Sequence, residues 1–199
     1  MLKLVIATGN IGKVEEIEEK LKEYPLIIKS LQDYPQIPEI KESGKTFSEN
    51  SVLKATMVSN YTNLPALADD SGLEIDYLGG KPGLYSSRWG KNDRERIERV
   101  LKELEGVPEL QRRARFVCVM SLVIPGNKVF TTQGVCSGKI AFFPQGKSGF
   151  GYDPIFIPDG YDLTFSQIGK KIKNKISHRA IALDKIIPQI ITYYHLKNQ

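Results

Sequence analysis

Cysteine is scarce: 199 residues contain two, Cys118 and Cys136. That excludes a disulfide framework. The two lie on neighbouring predicted strands, so one bridge stays open, but two reduced, packed thiols are the expectation for a cytosolic chain. Long apolar runs are missing too. Stretches such as Phe116 to Ile124 fall well short of the ~20 residues that span a bilayer, and no membrane partner is expected. The apolar stretch near the N-terminus, Leu4 to Ala7, is too short for a signal peptide and precedes no small-x-small cleavage site, so the expected location is cytoplasmic. Internal repeats, linkers and low-complexity segments are absent, as are RRM, KH and zinc patterns, which argues against a nucleic-acid-binding module.

What is present has the balance of an ordinary soluble globular protein, with 41% hydrophobic and 26% charged residues. At roughly 150 residues per domain, 1–199 reads as one domain, with room for two lobes. Lys and Arg number 28 against 23 Asp and Glu, a net charge of +5. Such a chain suits an anionic ligand, either nucleic acid or a phosphorylated small molecule. The Arg-rich stretch from Arg88 to Arg115 also holds Asp93, Glu95, Glu98, Glu103, Glu105 and Glu109, so it is mixed rather than basic.

The elements alternate, which favours an α/β or α+β domain. Leu4 to Ala7 reads as a buried strand, and Val14, Ile17, Leu21 and Tyr24 mark a helix with Glu16/Lys20 and Glu18/Lys22 as i,i+4 pairs. Thr46-Phe47-Ser48-Glu49 is a capping box opening a helix over 47–61, with Glu49 reaching back. Ala66 to Ala68 is a short strand delivering Asp69-Asp70-Ser71-Gly72 at its end, and Gly79 to Gly83 is a loop. Asn92 caps a helix that Gly106 and Pro108 end. Strands over 114–124 and 128–135 flank a turn at Pro125-Gly126-Asn127. A last helix starts at Ser177, and Pro188 should kink or split it.

Five segments could carry chemistry. Thr8-Gly9-Asn10-Ile11-Gly12-Lys13 places a short loop between a strand and a helix N-terminus, whose unpaired N–H groups and dipole suit phosphate, with Lys13 adding charge. It lacks the P-loop spacing and also reads as an ordinary turn. Asp69-Asp70-Ser71-Gly72 offers carboxylates for a divalent metal or a general base. Strand neighbours face opposite ways, so one of the two Asp points into a site, and a turn held by Asx hydrogen bonds is the other reading. Glu39, Glu42 and Glu49 form an acidic group that could give a Mg²⁺ site its one or two carboxylates, but taken by themselves they read first as a solvated acidic loop with Glu49 serving only as a cap. Phe150-Gly151-Tyr152-Asp153 could stack on a base and accept its N–H groups, or be a turn with core aromatics. Lys170 to Arg179, with five positive charges and one of only two His, is an anion grip or a solvated basic loop.

In order along the chain stand Thr-Gly-Asn-x-x-Lys, Thr-Phe-x-Glu-Asn, Ala-Asp-Asp-Ser-Gly-Leu, Leu-Gly-Gly-x-Pro-Gly-x-Tyr-Ser, Gly-Phe-Gly-Tyr-Asp-Pro-x-Phe and Ile-Ser-His-Arg. From Leu4 to Leu183 this closely resembles the inosine triphosphate pyrophosphatase family, which acts on XTP, ITP and dITP. The resemblance implies an elongated α/β fold, a mixed central sheet flanked by helices in two lobes with the active site in the cleft between them. It also implies a homodimer and a Mg²⁺-dependent enzyme that splits the triphosphate between the α and β phosphates.

Residue by residue, the resemblance implies the following roles. Thr8 to Lys13 match the phosphate-binding loop, with Thr8, Asn10 and Lys13 as its polar contacts. Asp70 matches the metal ligand and proton acceptor, Ser71 a substrate contact and Lys54 a functional lysine. Glu42 matches the acidic metal residue of bacterial members and Glu39 that of archaeal and eukaryotic ones. Phe150 to Asp153 match the base-binding loop, and Lys173, His178 and Arg179 the segment that reads the base. Many members carry an acidic pair just before the lysine matching Lys173; here Lys170-Lys171-Ile172 stands there, so Lys171 or Lys175 could take its part. A pocket donating to the 6-oxo group of hypoxanthine or xanthine, by Arg179 or backbone N–H, would set a donor against adenine's amino group, and each such mismatch costs about 1–3 kcal/mol. A pyrophosphatase of pyrimidine triphosphates is the rival within the same chemistry.

Overall fold

Alternating apolar runs and amphipathic segments settle into six strands and six helices across residues 2–126 and 128–197, the part of the chain that the computed structural model describes. Strand β1 (Leu2–Ile6) leads to α1 (Ile11–Leu21), β2 (Leu26–Ser30) and α2 (Phe47–Thr62). Then come β3 (Ala66–Ile75), α3 (Asp93–Glu103), β4 (Arg113–Ile124), β5 (Lys128–Ile140) and β6 (Phe156–Pro158). Helices α4 (Phe165–Ile168), α5 (Lys170–Ile176) and α6 (His178–Lys197) close the chain. The strands form one mixed sheet in the order β2-β1-β3-β4-β5-β6. Strand β1 runs parallel to β2 and β3, and β6 runs antiparallel to β5.

The chain divides into two compact units. The first holds the chain up to Asp70, Cys118–Gly134 and the chain from Arg179; the second holds Ser71–Val117 and Val135–His178. In the first unit the two-residue period of the strands sorts side chains to two faces. Leu4 and Ile6 of β1, Leu67 of β3 and Cys118, Met120 and Leu122 of β4 pack with Ile17 and Leu21 of α1 and Leu183, Ile186 and Ile190 of α6. Val5, Ala66, Ala68 and Val123 pack instead with Ala55 and Val58 of α2. The second unit is built on Leu73, Ile97, Val100, Phe116, Ile140, Tyr152, Phe156 and Phe165. Both cysteines are free and buried, Cys118 in the first unit and Cys136 in the second. Burial pushes each thiol up to about 12, leaving both inert.

Several sequence expectations change. Strand β2 was not foreseen, although Leu26-Ile27-Ile28 after Pro25 is its signal. Strand β3 runs on to Ile75, so Asp69-Asp70-Ser71-Gly72 lies inside a strand rather than at its end, and the Asx-turn reading falls away. Strand β5 continues past Val135 to Ile140. Asn127 of the expected turn lies outside the described residues. Lys170–Ile176 is helix α5, not a loop. Glu49 reaches back to the Lys45 N–H (2.7 Å) while Thr46 caps the Glu49 N–H (3.1 Å). Neither expected i,i+4 pair on α1 sets the contacts of its lysine: Lys20 bonds Asp184 (2.8 Å), Lys22 bonds Glu19 (2.6 Å) and Glu16 turns inward to Arg179. Helix α6 is continuous through Pro188 rather than split. A proline inside a helix costs about 3 kcal/mol, but Ile186, Ile187, Ile190 and Tyr194 on both sides of it are buried in one cluster, and burying each such side chain returns about 1.5–3 kcal/mol.

Candidate active site

Asp69 and Asp70 are neighbours on a strand, so their side chains leave opposite faces of β3. Asp69 shares the face of Leu67, toward α1 and α6; Asp70 shares that of Ala66 and Ala68, toward α2. Everything that distinguishes the two carboxylates follows from which helices meet them.

On the α1/α6 side, Lys13 Nζ stands 2.9 Å from Asp69 Oδ2. The Arg179 guanidinium donates to the same oxygen through Nη2 (3.2 Å) and Nε (3.4 Å), and through Nη1 to Glu16 Oε2. Asp69 is 1% exposed and Arg179 2%. Burial alone would raise the Asp69 carboxyl, but the charges of Lys13, Arg179 and Lys54 outweigh it and hold the group far below the usual carboxylate range. Burial likewise opposes the Arg179 charge, and Asp69 and Glu16 more than restore it. Two cations thus meet two anions, the arrangement that makes buried charge tolerable.

On the α2 side, four helical residues matter. Asn50, Ser51, Lys54 and Ala55 recur at helical spacing and are buried. Asn50 Nδ2 donates to Asp70 Oδ2 (3.0 Å), and Lys54 Nζ lies 3.5 Å from Asp70 Oδ1 and 2.6 Å from Glu42 Oε1. Ser51 Oγ and Ser121 Oγ of β4 share a hydrogen bond (2.7 Å), and Ser121 meets Thr131 of β5 (3.1 Å), which anchors the helix to the sheet. Burial raises the Asp70 carboxyl; Lys54 pulls it down, Glu42 adds to the rise, and the net pKa is raised. Burial works against the Lys54 ammonium, but Asp69, Asp70 and Glu42 outweigh it and raise its pKa. Glu42 therefore belongs to this group by contact, whereas Glu39 stands exposed on the preceding loop. Asn50 was overlooked as a site residue, although it closes the Thr-Phe-x-Glu-Asn motif.

The loop before α1 does its own capping. Asn10 Oδ1 accepts the Lys13 N–H (3.2 Å), and Thr8 Oγ1 accepts the Asn10 N–H (3.2 Å). Gly9 and Ile11 are exposed, Gly12 is half-buried, and Thr8, Gly9 and Ile11 line a cavity of about 230 Å³ with Val14, Ser30 and Gln32.

The second unit carries the other set. Ser71 is half-buried on β3. Asp153 is buried; its Oδ2 accepts the Phe150 N–H (3.0 Å) and the Lys173 ammonium (2.5 Å). A Cβ at Gly149, whose φ is +85°, would sit 2.2 Å from that same oxygen, so only glycine fits there. Lys173 Nζ stands 4.5 Å from the centre of the Phe150 ring. Lys173 is the buried lysine of α5; Lys171 and Lys175 are exposed. Gly151 N–H donates to Asp93 (2.7 Å), and Tyr152 is a core residue whose hydroxyl donates to the Ser86 carbonyl (2.8 Å). His178 stacks on Phe116 at 4.6 Å. A half-buried aromatic ring beside a buried Lys–Asp pair can take a planar, hydrogen-bonding ligand.

Five arginines of the mixed stretch meet carboxylates, Arg94 with Glu98, Arg96 with Asp93, Arg99 with Glu103, Arg113 with Asp159 and Arg115 with Glu74, while Arg112 donates to the Leu104, Ile140 and Ala141 carbonyls. Among the described residues no helix is long and apolar enough to cross a membrane.

The sequence profile of the Ham1 family matches residues 4–189. A protein of Bacillus licheniformis named dITP/XTP pyrophosphatase is 47% identical over 189 residues, covering 94% of this chain and 96% of that protein. One of the same name from Synechocystis sp. is 47% identical over 187 residues, 94% of each. Among solved structures, a HAM1 protein from Coxiella burnetii superposes with a TM-score of 0.86 at 40% identity, covering 97% of this chain and all of that one.

Proposed function

The chain belongs to the Ham1 family, and from that premise we propose that it hydrolyses dITP, XTP and ITP to the nucleoside monophosphate and pyrophosphate, as a cytoplasmic, Mg²⁺-dependent homodimer. The observation that carries this reading is Asp70. Held between Asn50, which donates to it, and Lys54, which it shares with Glu42, and with its carboxyl raised chiefly by burial, it is a carboxylate placed to accept a proton.

The residues present fit a magnesium ion. Among the described residues no cluster of three or more His, Cys, Asp or Glu is set up to hold a metal. Asp70 and Glu42 are two carboxylates sharing one ammonium, an excess of negative charge that a hard cation relieves. Mg²⁺ characteristically takes one or two carboxylates and leaves its other positions to water and phosphate. Asp70 and Glu42 would hold it, and it would supply charge neutralisation at the phosphates.

The chain's own groups would do the rest. Phosphoryl chemistry rests on positioning and charge. Thr8, the N-terminus of α1, Lys13 and Lys54 would bind the triphosphate, and Asp70 would accept a proton from the attacking water. Ser71 keeps its reading as a substrate contact. Phe150 would stack on the purine, while Asp153, Lys173 and His178 supply the hydrogen-bonding side of base reading. The Arg179 guanidinium is taken up by Asp69 and Glu16, so we assign it to holding Asp69 and Lys13 rather than to the base.

Pyrophosphate release from dITP, XTP, ATP, GTP and CTP, each with Mg²⁺ and with EDTA, tests the reading. The expected result is Mg²⁺-dependent turnover confined largely to dITP and XTP. Equal turnover of ATP and GTP would overturn the selectivity, preference for CTP would point to pyrimidine triphosphates, and full activity in EDTA would overturn the metal.

A further inference from the structure

Asn50 has a contact on each side. It is 1% exposed in the first turns of α2. Its Oδ1 accepts the Gly44 N–H (2.8 Å), and its Nδ2 donates to Asp70 Oδ2 (3.0 Å). Chemistry fixes the amide's orientation, because a backbone N–H only donates and a carboxylate only accepts. An alanine or leucine at this position could make neither bond. An aspartate could keep the Gly44 bond but would set a carboxylate against a carboxylate.

The loop is pressed against this side chain. A Cβ on Gly44 would lie 2.6 Å from Asn50 Oδ1 and 2.7 Å from Glu49 Cβ, so Gly44 is a glycine because of close approach. Two residues before it is Glu42, and one helical turn after Asn50 is Lys54, which binds Glu42 Oε1 (2.6 Å). Glu42 and Asp70 repel one another, since the Glu42 charge works to raise Asp70. Like charges repel, and although Lys54 meets both carboxylates, a tie between their backbones fixes their spacing. The Gly44–Asn50–Asp70 chain of hydrogen bonds is such a tie: it clamps the loop that carries Glu42 to the strand that carries Asp70.

We propose that Asn50 is a positioning residue that holds Asp70 and the Glu42 loop at the separation a divalent cation needs, through the Gly44 N–H on one side and Asp70 Oδ2 on the other. This rests on the reading of Asp70 and Glu42 as the cation-binding pair. Partners one shell removed from a metal are worth about 10–100-fold in metal affinity or activity.

The test uses Asn50→Ala, Asn50→Asp and Gly44→Ala in the full chain. Mn²⁺ binding to the nucleotide-free protein is read by calorimetry, kcat and KM are measured with dITP, and thermal melting controls for folding. Asn50→Ala and Gly44→Ala should weaken Mn²⁺ by about tenfold or more and lower kcat comparably, with KM for dITP shifted far less. Asn50→Asp should bind Mn²⁺ at least as tightly as wild type, because it adds negative charge, and yet lose kcat. Opposite movement of metal affinity and kcat does not follow from mere loosening of the fold. Asn50→Asp with wild-type kcat, or a folded Asn50→Ala with unchanged Mn²⁺ affinity and kcat, would overturn the proposal. A wild-type protein that neither binds Mn²⁺ nor hydrolyses dITP would overturn instead the functional reading beneath it.

Discussion

Asp69 and Asp70 share a strand and carry the same kind of side chain, yet they end in opposite electrostatic states. Asp69 lies between Lys13 and Arg179, with Glu16 balancing the second cation, and its carboxyl is driven down. The Asp70 carboxyl is driven up, chiefly by burial, which the one lysine it shares with Glu42 does not overcome and the Glu42 charge reinforces. Burial pushes both carboxyls up; what separates them is the opposing charge, set by the alternation of the strand and the helix on each face. α1 and α6 bring matched charge to one side; α2 and the Glu42 loop bring a surplus of carboxylate to the other. A charge-matched buried network contributes rigidity, and a carboxylate with a second carboxylate beside it contributes reactivity. Asp69 also holds Lys13 in place, so under the proposed function the strut on one face would serve the phosphate loop while the base on the other would serve the chemistry.

The comparison makes Asp70→Asn the largest functional loss. Removing a general base costs typically 10²–10⁴-fold, so kcat for dITP should fall by about 10³. Circular dichroism and melting should show an intact fold. An active Asp70→Asn would sink the assignment of Asp70. Asp69→Asn should reverse the pattern, with stability the first casualty. Removing one member of a buried ionic network costs about 3–5 kcal/mol, which at about 2–4 °C per kcal/mol for a chain of this size lowers Tm by roughly 10 °C. A Tm within about 2 °C of wild type would break the contrast.

Arg179→Lys sharpens the comparison at smaller scale. Lysine keeps the charge but cannot fork between Glu16 and Asp69. About 2 kcal/mol of stability should go, the worth of lost charge-assisted hydrogen bonds. Because the guanidinium is spent on carboxylates, kcat/KM should fall by the same factor for dITP, XTP and ATP. A selective loss for dITP and XTP would return Arg179 to the base.

Part of the candidate site was legible in the chain. The ordered motifs singled out Lys13, Asp70 and Phe150 to Asp153, and the family resemblance added Lys54, because loops that carry chemistry need particular residue types at fixed local spacing. Strand parity also required that the two aspartates part company. What was not legible depends on which elements pack together. Glu16 read as a surface partner of Lys20, and its turn inward to Arg179 spans 163 residues of sequence. Which lysine of α5 meets Asp153 followed from burial: Lys173 points at Asp153, while Lys171 and Lys175 face solvent. Asn50 hid in a capping-box motif, since its function lies in contacts to Gly44 and to β3 that no local pattern encodes. The continuity of α6 through Pro188 was decided by buried isoleucines on both sides, a tertiary effect stronger than local propensity.

The smallest effect separates the two carboxylates most directly, by sign. The Asp70 carboxyl is raised in the fold, so the folded protein binds that proton more tightly than the unfolded chain does. Above its unfolded value of about 3.9, ionised Asp70 therefore subtracts from stability, and below that value it subtracts nothing. Asp70→Asn should melt higher than wild type at pH 7.5 in EDTA, by about 2–4 °C for each kcal/mol relieved, and the gain should vanish near pH 3. The Asp69 carboxyl is lowered, so its contribution is complete above about pH 3.9 and drains away as pH falls toward its folded value. The deficit of Asp69→Asn should accordingly be full at pH 7.5 and narrow below pH 3.9. Melting curves of the two variants against wild type would then lie on opposite sides at neutral pH and converge in acid. If Asp70→Asn melted below wild type at pH 7.5, Asp70 would be as fully compensated as Asp69, and its readiness to take a proton would lose its physical basis.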